Sequence, residues 1–373
     1  MKATTVCYKT TSKGLKINID VRPPDLSTFC YDLADGAIVI RPAFLYFHAG
    51  GLVYGNRRSF IPRWLSDRVA TQGWLFISAD YRLIPPSTGD DILEDVRDLW
   101  NFLTNRDLTL ELDISASKDD RKTAKFKFKA DSIAVGGSSG GGLCAYLAAV
   151  HCRNPKPVAI LSIYGMGVLN GAQTPHYLVP KQEKFPRAAE FLKEKDFKSF
   201  LHPFEEDDLS EVAHDPRFSR GTLSARVHVS TLYLQSGVWL DYYTGRHDPS
   251  ISRTLQRLCR FSQFVSPLEI SVADEGVRDQ VVEEVKCVDG LFPQLKVSSD
   301  WPPVFLIHGS GDTSVPVGES VHLYGLLQEA GVPAELVMVE GEEHGFDQGK
   351  ESESKWGSYF DRAMEWLRKY AHE

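Results

Sequence analysis

The stretch "DSIAVGGSSGGGLCAYLA" (131–148) decides how the rest of the chain is read. The apolar run "SIAV" (132–135) is followed by glycines, two serines and the helical pattern "GLCAYLAAVHC" (142–152). A strand that turns this abruptly into a helix lifts the turn residue above the end of its sheet, and flanking glycines keep Cβ atoms out of the neighbouring backbone. Two frames of G-x-S-x-G fit, one centred on Ser138 and one on Ser139. If "SIAV" fills the strand and Gly136 and Gly137 end it, the turn residue is Ser139, and Gly141 falls where the helix passes the sheet. Ser138 comes one residue too early. A dinucleotide-binding G-x-G-x-x-G does not match this order of glycines and serines. A plain glycine-rich turn, holding an anion at the helix N-terminus, is the simpler alternative.

Outward from this stretch, short apolar runs alternate with helical patterns. "TTVCYKT" (4–10) and "LKINIDVRPP" (15–24) read as two strands joined by a turn. "AFLYFH" (43–48), "GWLFISAD" (73–80), "SIAVGG" (132–137), "VAILSIYG" (158–165), "PVFLIHG" (303–309) and "AELVMVEG" (334–341) read as strands buried on both faces. "DDILEDVRDLWNFLTN" (90–105) and "GESVHLYGLLQEAG" (318–331) are helical. The alternation predicts an α/β fold with a mostly parallel, eight-stranded sheet flanked by helices. The lysine–phenylalanine run "RKTAKFKFKA" (121–130) reads as a solvated strand or loop edge. Between 170 and 300 the rhythm breaks, over a span far longer than an ordinary connection. The core is therefore expected in 1–169 and 301–373, with 170–300 a helical lid or cap insertion.

A serine hydroxyl becomes a useful nucleophile only when a base takes its proton. Of 11 histidines, His344 in "VEGEEHGFD" (339–347) follows the last strand in a glycine-flanked loop, while His308 lies inside a strand end. Asp312 in "FLIHGSGDTSVP" (305–316) is the acid placed to fix the imidazole tautomer; Glu342 and Glu343 are too near His344 in sequence to face its Nδ1. "FHAGGLVYG" (47–55) offers the N–H groups of Gly50 and Gly51 to an oxyanion, joined by Gly140 after the nucleophile. Tyr54, Trp239, Tyr242, Tyr243 and Phe346 either line an apolar pocket or pack in the core; both readings stand.

Composition narrows the classes. A net charge of −8 gives no footprint for nucleic acid. No apolar stretch is long enough for a membrane span, and the N-terminus lacks the apolar core of a secretory signal, so a cytoplasmic location is expected. Six cysteines without CxxC pairs read as free thiols.

Taken together, these segments resemble the hormone-sensitive-lipase-like, fold-3 carboxylesterase branch of the α/β-hydrolase superfamily, fungal members included. The oxyanion segment H-G-G-G is matched by His48-Ala49-Gly50-Gly51. The structural D-Y-R-L-x-P is matched by Asp80-Tyr81-Arg82-Leu83-Ile84-Pro85, and the elbow G-D-S-A-G-G by Gly137 to Gly142, which favours Ser139. Ala49, Ser138 and Leu143 depart from the pattern; Ser138 stands where the branch has an acid. The resemblance implies a serine esterase acting on a small-molecule ester through Ser139, His344 and Asp312, with no metal or organic cofactor. It also leads one to expect the 170–300 insertion to replace the N-terminal cap helices of many relatives. A lactonase, peptidase or acyltransferase on the same triad, or a non-catalytic binding protein, are the alternatives. Oligomeric state is not legible.

Overall fold

Residues 75–79, 160–163 and 304–309 are buried at every position, as strands are when helices cover both faces of their sheet. The computed structural model describes residues 3–25, 37–115, 122–168, 175–178, 180, 194–204, 225–259 and 286–371. Its strands are β1 (Thr4–Thr10), β2 (Lys16–Arg22), β3 (Ile38–Phe47), β4 (Leu75–Ala79), β5 (Leu110–Asp113), β6 (Thr123–Ser138), β7 (Ile160–Ile163), β8 (Val304–Gly309) and β9 (Ala334–Val339). They form one sheet in the order β1-β2-β4-β3-β6-β7-β8-β9, with β5 paired to β6. Neighbours from β4 across to β9 are parallel, whereas β1 with β2, β2 with β4 and β5 with β6 are antiparallel.

The sheet has nine strands, not the expected eight. The addition is β5, "LELD", too short and too charged to read as a buried strand. It pairs with the first half of β6, the lysine–phenylalanine run. Phe126 and Phe128 are buried there while Lys125 is exposed, the two-residue period of a strand with one wet face. The run is thus the start of β6, which continues through "SIAV" to the glycines.

Helices follow in the order α1 (Arg63–Thr71), α2 (Gly89–Thr104), α3 (Gly140–His151), α4 (Pro175–Leu178), α5 (Ala225–Ser236), α6 (Trp239–Thr244), α7 (Ile251–Cys259), α8 (Gly318–Glu329) and α9 (Ser352–Tyr370). Alternate residues of β3 serve the two sides of the sheet. Phe44 and Tyr46 pack with Phe76, with Trp64 of α1 and with Phe360 and Leu367 of α9. Leu45 and Phe47 pack with Ile77 and Val135 and with the apolar faces of α2, α3 and α8. Trp64 stacks on Phe360 at 4.2 Å, closing α1 onto α9.

Between β7 and β8 the described residues form the short helices α4 to α7, which contact one another. Within the insertion expected to be helical, Glu194–Phe200 is a 3-10 turn, and residues 181–193 lie outside the described residues. α7 ends at Cys259, and residues 260–285 lie outside them too. Cys7, Cys144, Cys152 and Cys287 are free thiols.

Candidate active site

The C-terminal ends of β3, β6, β8 and β9 lie on one edge of the sheet, the edge where ligands bind in open α/β sheets. β6 ends at Ser138, and α3 begins at Gly140. Ser139 between them has φ 54° and ψ −122°, a conformation that costs a residue with a side chain about 1–3 kcal/mol and persists only where the surroundings enforce it. The surroundings are tight. A Cβ on Gly141 would stand 2.1 Å from the carbonyl oxygen of Phe47, so only glycine lets α3 leave the sheet here. The Ser139 N–H donates to Ile163 O at 3.0 Å, and Ser139 O accepts from Met166 N at 3.0 Å.

His344 and Asp312 reach this serine from loops beyond β9 and β8. Nε2 of His344 lies 3.0 Å from Ser139 Oγ, and its Nδ1 lies 2.7 Å from Asp312 Oδ2. With Nδ1–H donating to the carboxylate, Nε2 carries the free lone pair towards the serine hydroxyl. Asp312 Oδ1 accepts the N–H groups of Ser314 and Val315, each at 2.9 Å. Burial pushes the Asp312 carboxyl up, yet His308, His344 and the Val315 N–H hold it well below the usual carboxylate range. His308 is a partner the sequence reading missed. Its Nε2 lies 3.2 Å from Asp312 Oδ2 and 2.9 Å from Val315 O, while Nδ1 meets Ser320 Oγ at 2.7 Å. A histidine four residues before the acid, at the end of an apolar strand, was the available signal.

A second buried carboxylate stands behind His344. Asp347 accepts the Tyr164 hydroxyl at 2.5 Å and the Trp64 Nε1–H at 3.0 Å. The Tyr164 ring in turn packs on His344 at 4.6 Å. Ser138 belongs to the same buried cluster: its Oγ lies 3.0 Å from the Tyr46 hydroxyl, which is 2.7 Å from Phe60 O. Ser138 is wholly buried, does not line the cavity above Ser139, and sits where the elbow motif has an acid. The buried acid of this cluster comes instead from Asp347, three residues past His344.

Gly50 and Gly51 have φ of 120° and 60°, and no described residue accepts either N–H. Gly140 is the first residue of α3, so its N–H has no acceptor within the helix. His48 holds the segment from beneath. Its ring stacks on Tyr81 at 4.3 Å, and burial pushes its pKa down to about 4, so it stays neutral near pH 7. Asp80 and Arg82 of the neighbouring motif are structural. Asp80 Oδ2 pairs with Arg57 at 2.5 Å, and Arg82 binds Asp91, Glu94 and Asp95.

A cavity of about 390 Å³ opens over Ser139 and His344, with Gly50, Gly51, Tyr54, Tyr164 and Tyr177 in its walls. From above, α5 adds Val227, Ser230, Thr231 and Leu234. Of the five expected pocket aromatics, Tyr54 lines the cavity and four do not. Trp239 packs between Tyr177 and Tyr243, and Tyr242 stacks on Tyr233 at 3.6 Å, both inside the helical layer. Phe346 packs edge-on against Tyr164 at 5.8 Å. Large rings in short helices were read by composition, which does not say which side of a helix faces the cavity. Among the described residues no His/Cys/Asp/Glu cluster could hold a metal, and no helix is long and apolar enough to cross a membrane.

Comparison with known proteins places this geometry. A family model described as alpha/beta hydrolase fold matches residues 44–232, and one of the prolyl oligopeptidase family matches 270–373. A non-reducing polyketide synthase of Preussia isomera is 28% identical over 351 residues, 89% of this chain and 12% of the synthase. A Phoma protein named as a probable carboxylesterase is 30% identical over 162 residues, 40% of this chain and 47% of its own. The chain thus spans about an eighth of the synthase and about half of the carboxylesterase. Among solved structures, a carboxylesterase cloned from a metagenomic library superposes with a TM-score of 0.56 at 16% identity, covering all of this chain and 91% of that one. A Staphylococcus aureus protein reaches 0.60 at 17%, covering 99% and 100%. At such identities the likeness is one of fold.

Proposed function

The chain belongs to the alpha/beta hydrolase fold family, and from that premise we propose that it is a serine hydrolase cleaving carboxylic esters of small or medium apolar substrates. The observation that carries the reading is the unbroken relay from Ser139 Oγ to His344 to the ionised Asp312. His344 Nε2 takes the Ser139 proton as Oγ bonds to the ester carbonyl carbon. The N–H groups of Gly50, Gly51 and Gly140 hold the oxyanion. His344 returns the proton to the departing alkoxide as the C–O bond breaks, leaving an acyl-enzyme. Water, losing a proton to His344, then attacks the acyl carbon, and the acid leaves as Ser139 recovers its proton. Tyr54 lines the substrate pocket, and the helices between β7 and β8, within 170–300, act as its lid.

A second reading, acyl transfer or thioester cleavage on the same triad, is supported by the relatives. Polyketide synthases align over 82–92% of this chain, the probable carboxylesterase over 40%. The triad attacks a thioester carbonyl as it does an ester; the leaving group, thiol or alcohol, separates thioester from ester cleavage, and the acceptor, water or an alcohol, separates hydrolysis from transfer.

The test is labelling with a fluorophosphonate together with hydrolysis of 4-nitrophenyl butyrate. Wild type is expected to be labelled and active; Ser139→Ala should lose labelling and about 10⁴-fold or more in kcat/KM. Equal, slow hydrolysis by both proteins sinks the hydrolase reading. Labelling that survived Ser139→Ala and vanished in Ser138→Ala would move the nucleophile by one residue.

A further inference from the structure

Resting on the hydrolase reading, we propose that α5 carries a subsite for an oxygen-bearing acyl group: a hydroxyl or keto oxygen on the chain close to the scissile carbonyl. At about 100° per residue, Val227, Ser230, Thr231 and Leu234 fall within an arc of roughly 100° on one side of the helix. All four line the cavity that holds Ser139 and His344. The opposite side, with Arg226, Val229 and Tyr233, is buried. Arg226 fastens that side to the core: Nη2 donates to Leu83 O at 3.3 Å and Pro85 O at 2.8 Å, and the guanidinium lies over the Phe200 ring at 5.6 Å. The helix therefore presents a fixed face to the cavity.

The middle of that face is polar and its ends are apolar. Val227 and Leu234 stand about 10 Å apart along the axis. The two hydroxyls between them are held differently from the two threonines of the neighbouring helices; the buried Ser252 Oγ of α7 also lacks a partner, but it lies away from the cavity. Thr244 and Thr254 donate to carbonyls four residues back, at Leu240 O (2.7 Å) and Ser250 O (2.9 Å), the usual fate of a hydroxyl in a helix. Neither Ser230 nor Thr231 makes such a bond, nor one to any other described residue, and both are half-buried. Ser230 Oγ also lies only 2.7 Å from where a Cβ on Gly51 would stand, so it abuts the oxyanion segment itself.

A group recognised there is bonded near the carbon that Ser139 attacks. The acyl part remains on the enzyme through both steps while the alcohol leaves, so a hydroxyl at this place serves the acyl part longest. A hydroxyl both donates and accepts, which suits an alcohol or a ketone on that chain. Val227 and Leu234 then cover the methylenes on either side.

The measurement is kcat/KM for 4-nitrophenyl 3-hydroxybutyrate relative to 4-nitrophenyl butyrate, each corrected for its hydroxide-catalysed rate. Wild type is expected to favour the hydroxylated ester by about tenfold, the order of one net hydrogen bond. Ser230→Ala and the isosteric Thr231→Val should each lower that ratio at least threefold, and the pair together should bring it near one. Both esters are read on the same preparation, so partial misfolding of a variant cancels. Turnover of both esters at a ratio near one, or a ratio that neither substitution moves, removes the subsite and leaves the hydrolase reading standing. No turnover of either ester, with Ser139 unlabelled by the fluorophosphonate, removes both.

Discussion

Ser139, Asp312 and His344 stand at the ends of three strands, whereas Val227, Ser230, Thr231 and Leu234 reach the same cavity from one helix. At the sheet edge, backbone does the positioning. Ser139 is held at φ 54°, Gly141 clears Phe47 O, and Asp312 is gripped by two N–H groups and two imidazoles. In the helical layer the positioning comes from side chains: stacked Tyr233 and Tyr242, Trp239 against Tyr177, and Arg226 on two core carbonyls. Backbone positioning tolerates almost no substitution, while packed faces can change what they present without disturbing the strands beneath. Chemistry is thus expected to reside in the first region and substrate choice in the second.

The largest effect after loss of Ser139 should come from Asp312. In Asp312→Asn an amide N–H can meet the Nδ1–H of His344 and turn the ring towards the tautomer that cannot accept the Ser139 proton. A fall of roughly 10³–10⁴-fold in kcat is expected in steady-state ester hydrolysis. A loss under tenfold would mean that His308 or another group orients the imidazole, and the distinction between the two regions would weaken.

The same distinction explains what could be read from the sequence. Ser139, Asp312, His344, Gly50 and Gly51 each sit just past an apolar run among glycines, so a few contiguous residues identify each; the structure brings four of them around one cavity, with Asp312 bonded to His344 behind it. What a few contiguous residues do not carry was not legible. Asp347 meets Trp64 across 283 positions, and nothing near either residue announces the other. The strand β5 is only four residues long and takes its partner from β6, so its own apolar content is small. In α5 the cavity face mixes two apolar residues with two hydroxyls, and the buried face includes an arginine, so hydropathy does not separate the sides. Trp239 and Tyr242 looked like pocket residues for the converse reason: large rings suit either side of a helix.

Asp347 offers a smaller test at the sheet edge. Asp347→Ala leaves the Tyr164 hydroxyl and the Trp64 Nε1–H buried without acceptors, which should cost about 2–4 kcal/mol in urea denaturation. Because Tyr164 packs on His344, kcat/KM should fall by roughly tenfold as well. Asp347→Asn keeps one acceptor oxygen and should lose less of both. Full activity in Asp347→Ala would show that the triad is set without this cluster.

Glu319 lies where the two regions join, and its test is a pH dependence. It is buried in α8, accepts the Tyr177 hydroxyl of α4 at 2.5 Å, and takes the N–H groups of Gly167 and Val168 just before the helical layer begins. Burial pushes its pKa up to about 7 against these bonds and the nearby His308. With the folded pKa raised above an unfolded value of about 4.3, the folded state binds more protons between the two, so this group's contribution to stability falls as pH rises towards 7. Glu319→Gln does not titrate. It should be the less stable protein at pH 5, and its deficit should shrink at pH 8, as read by thermal unfolding at both. A deficit independent of pH would mean that the carboxyl titrates alike in folded and unfolded chains.

The smallest effect is expected inside the helical layer, at Tyr242. Its ring is stacked on Tyr233, its hydroxyl accepts His202 N at 3.2 Å, and it lies outside the cavity walls. Tyr242→Phe keeps the ring and removes that one acceptor, so about 1 kcal/mol of stability should be lost. Because the cavity face of α5 is on the other side of Tyr233, kcat/KM for short esters should stay within about twofold. Tyr233 sits on the buried side of the same helix, so a tilt of the Tyr242 ring could reach the substrate only by rotating α5 as a body, against the hold of Arg226 on Leu83 O and Pro85 O. A tenfold loss of activity with little loss of stability would therefore require that rotation, and the layer would be a coupled part of the catalytic edge instead of a replaceable cover.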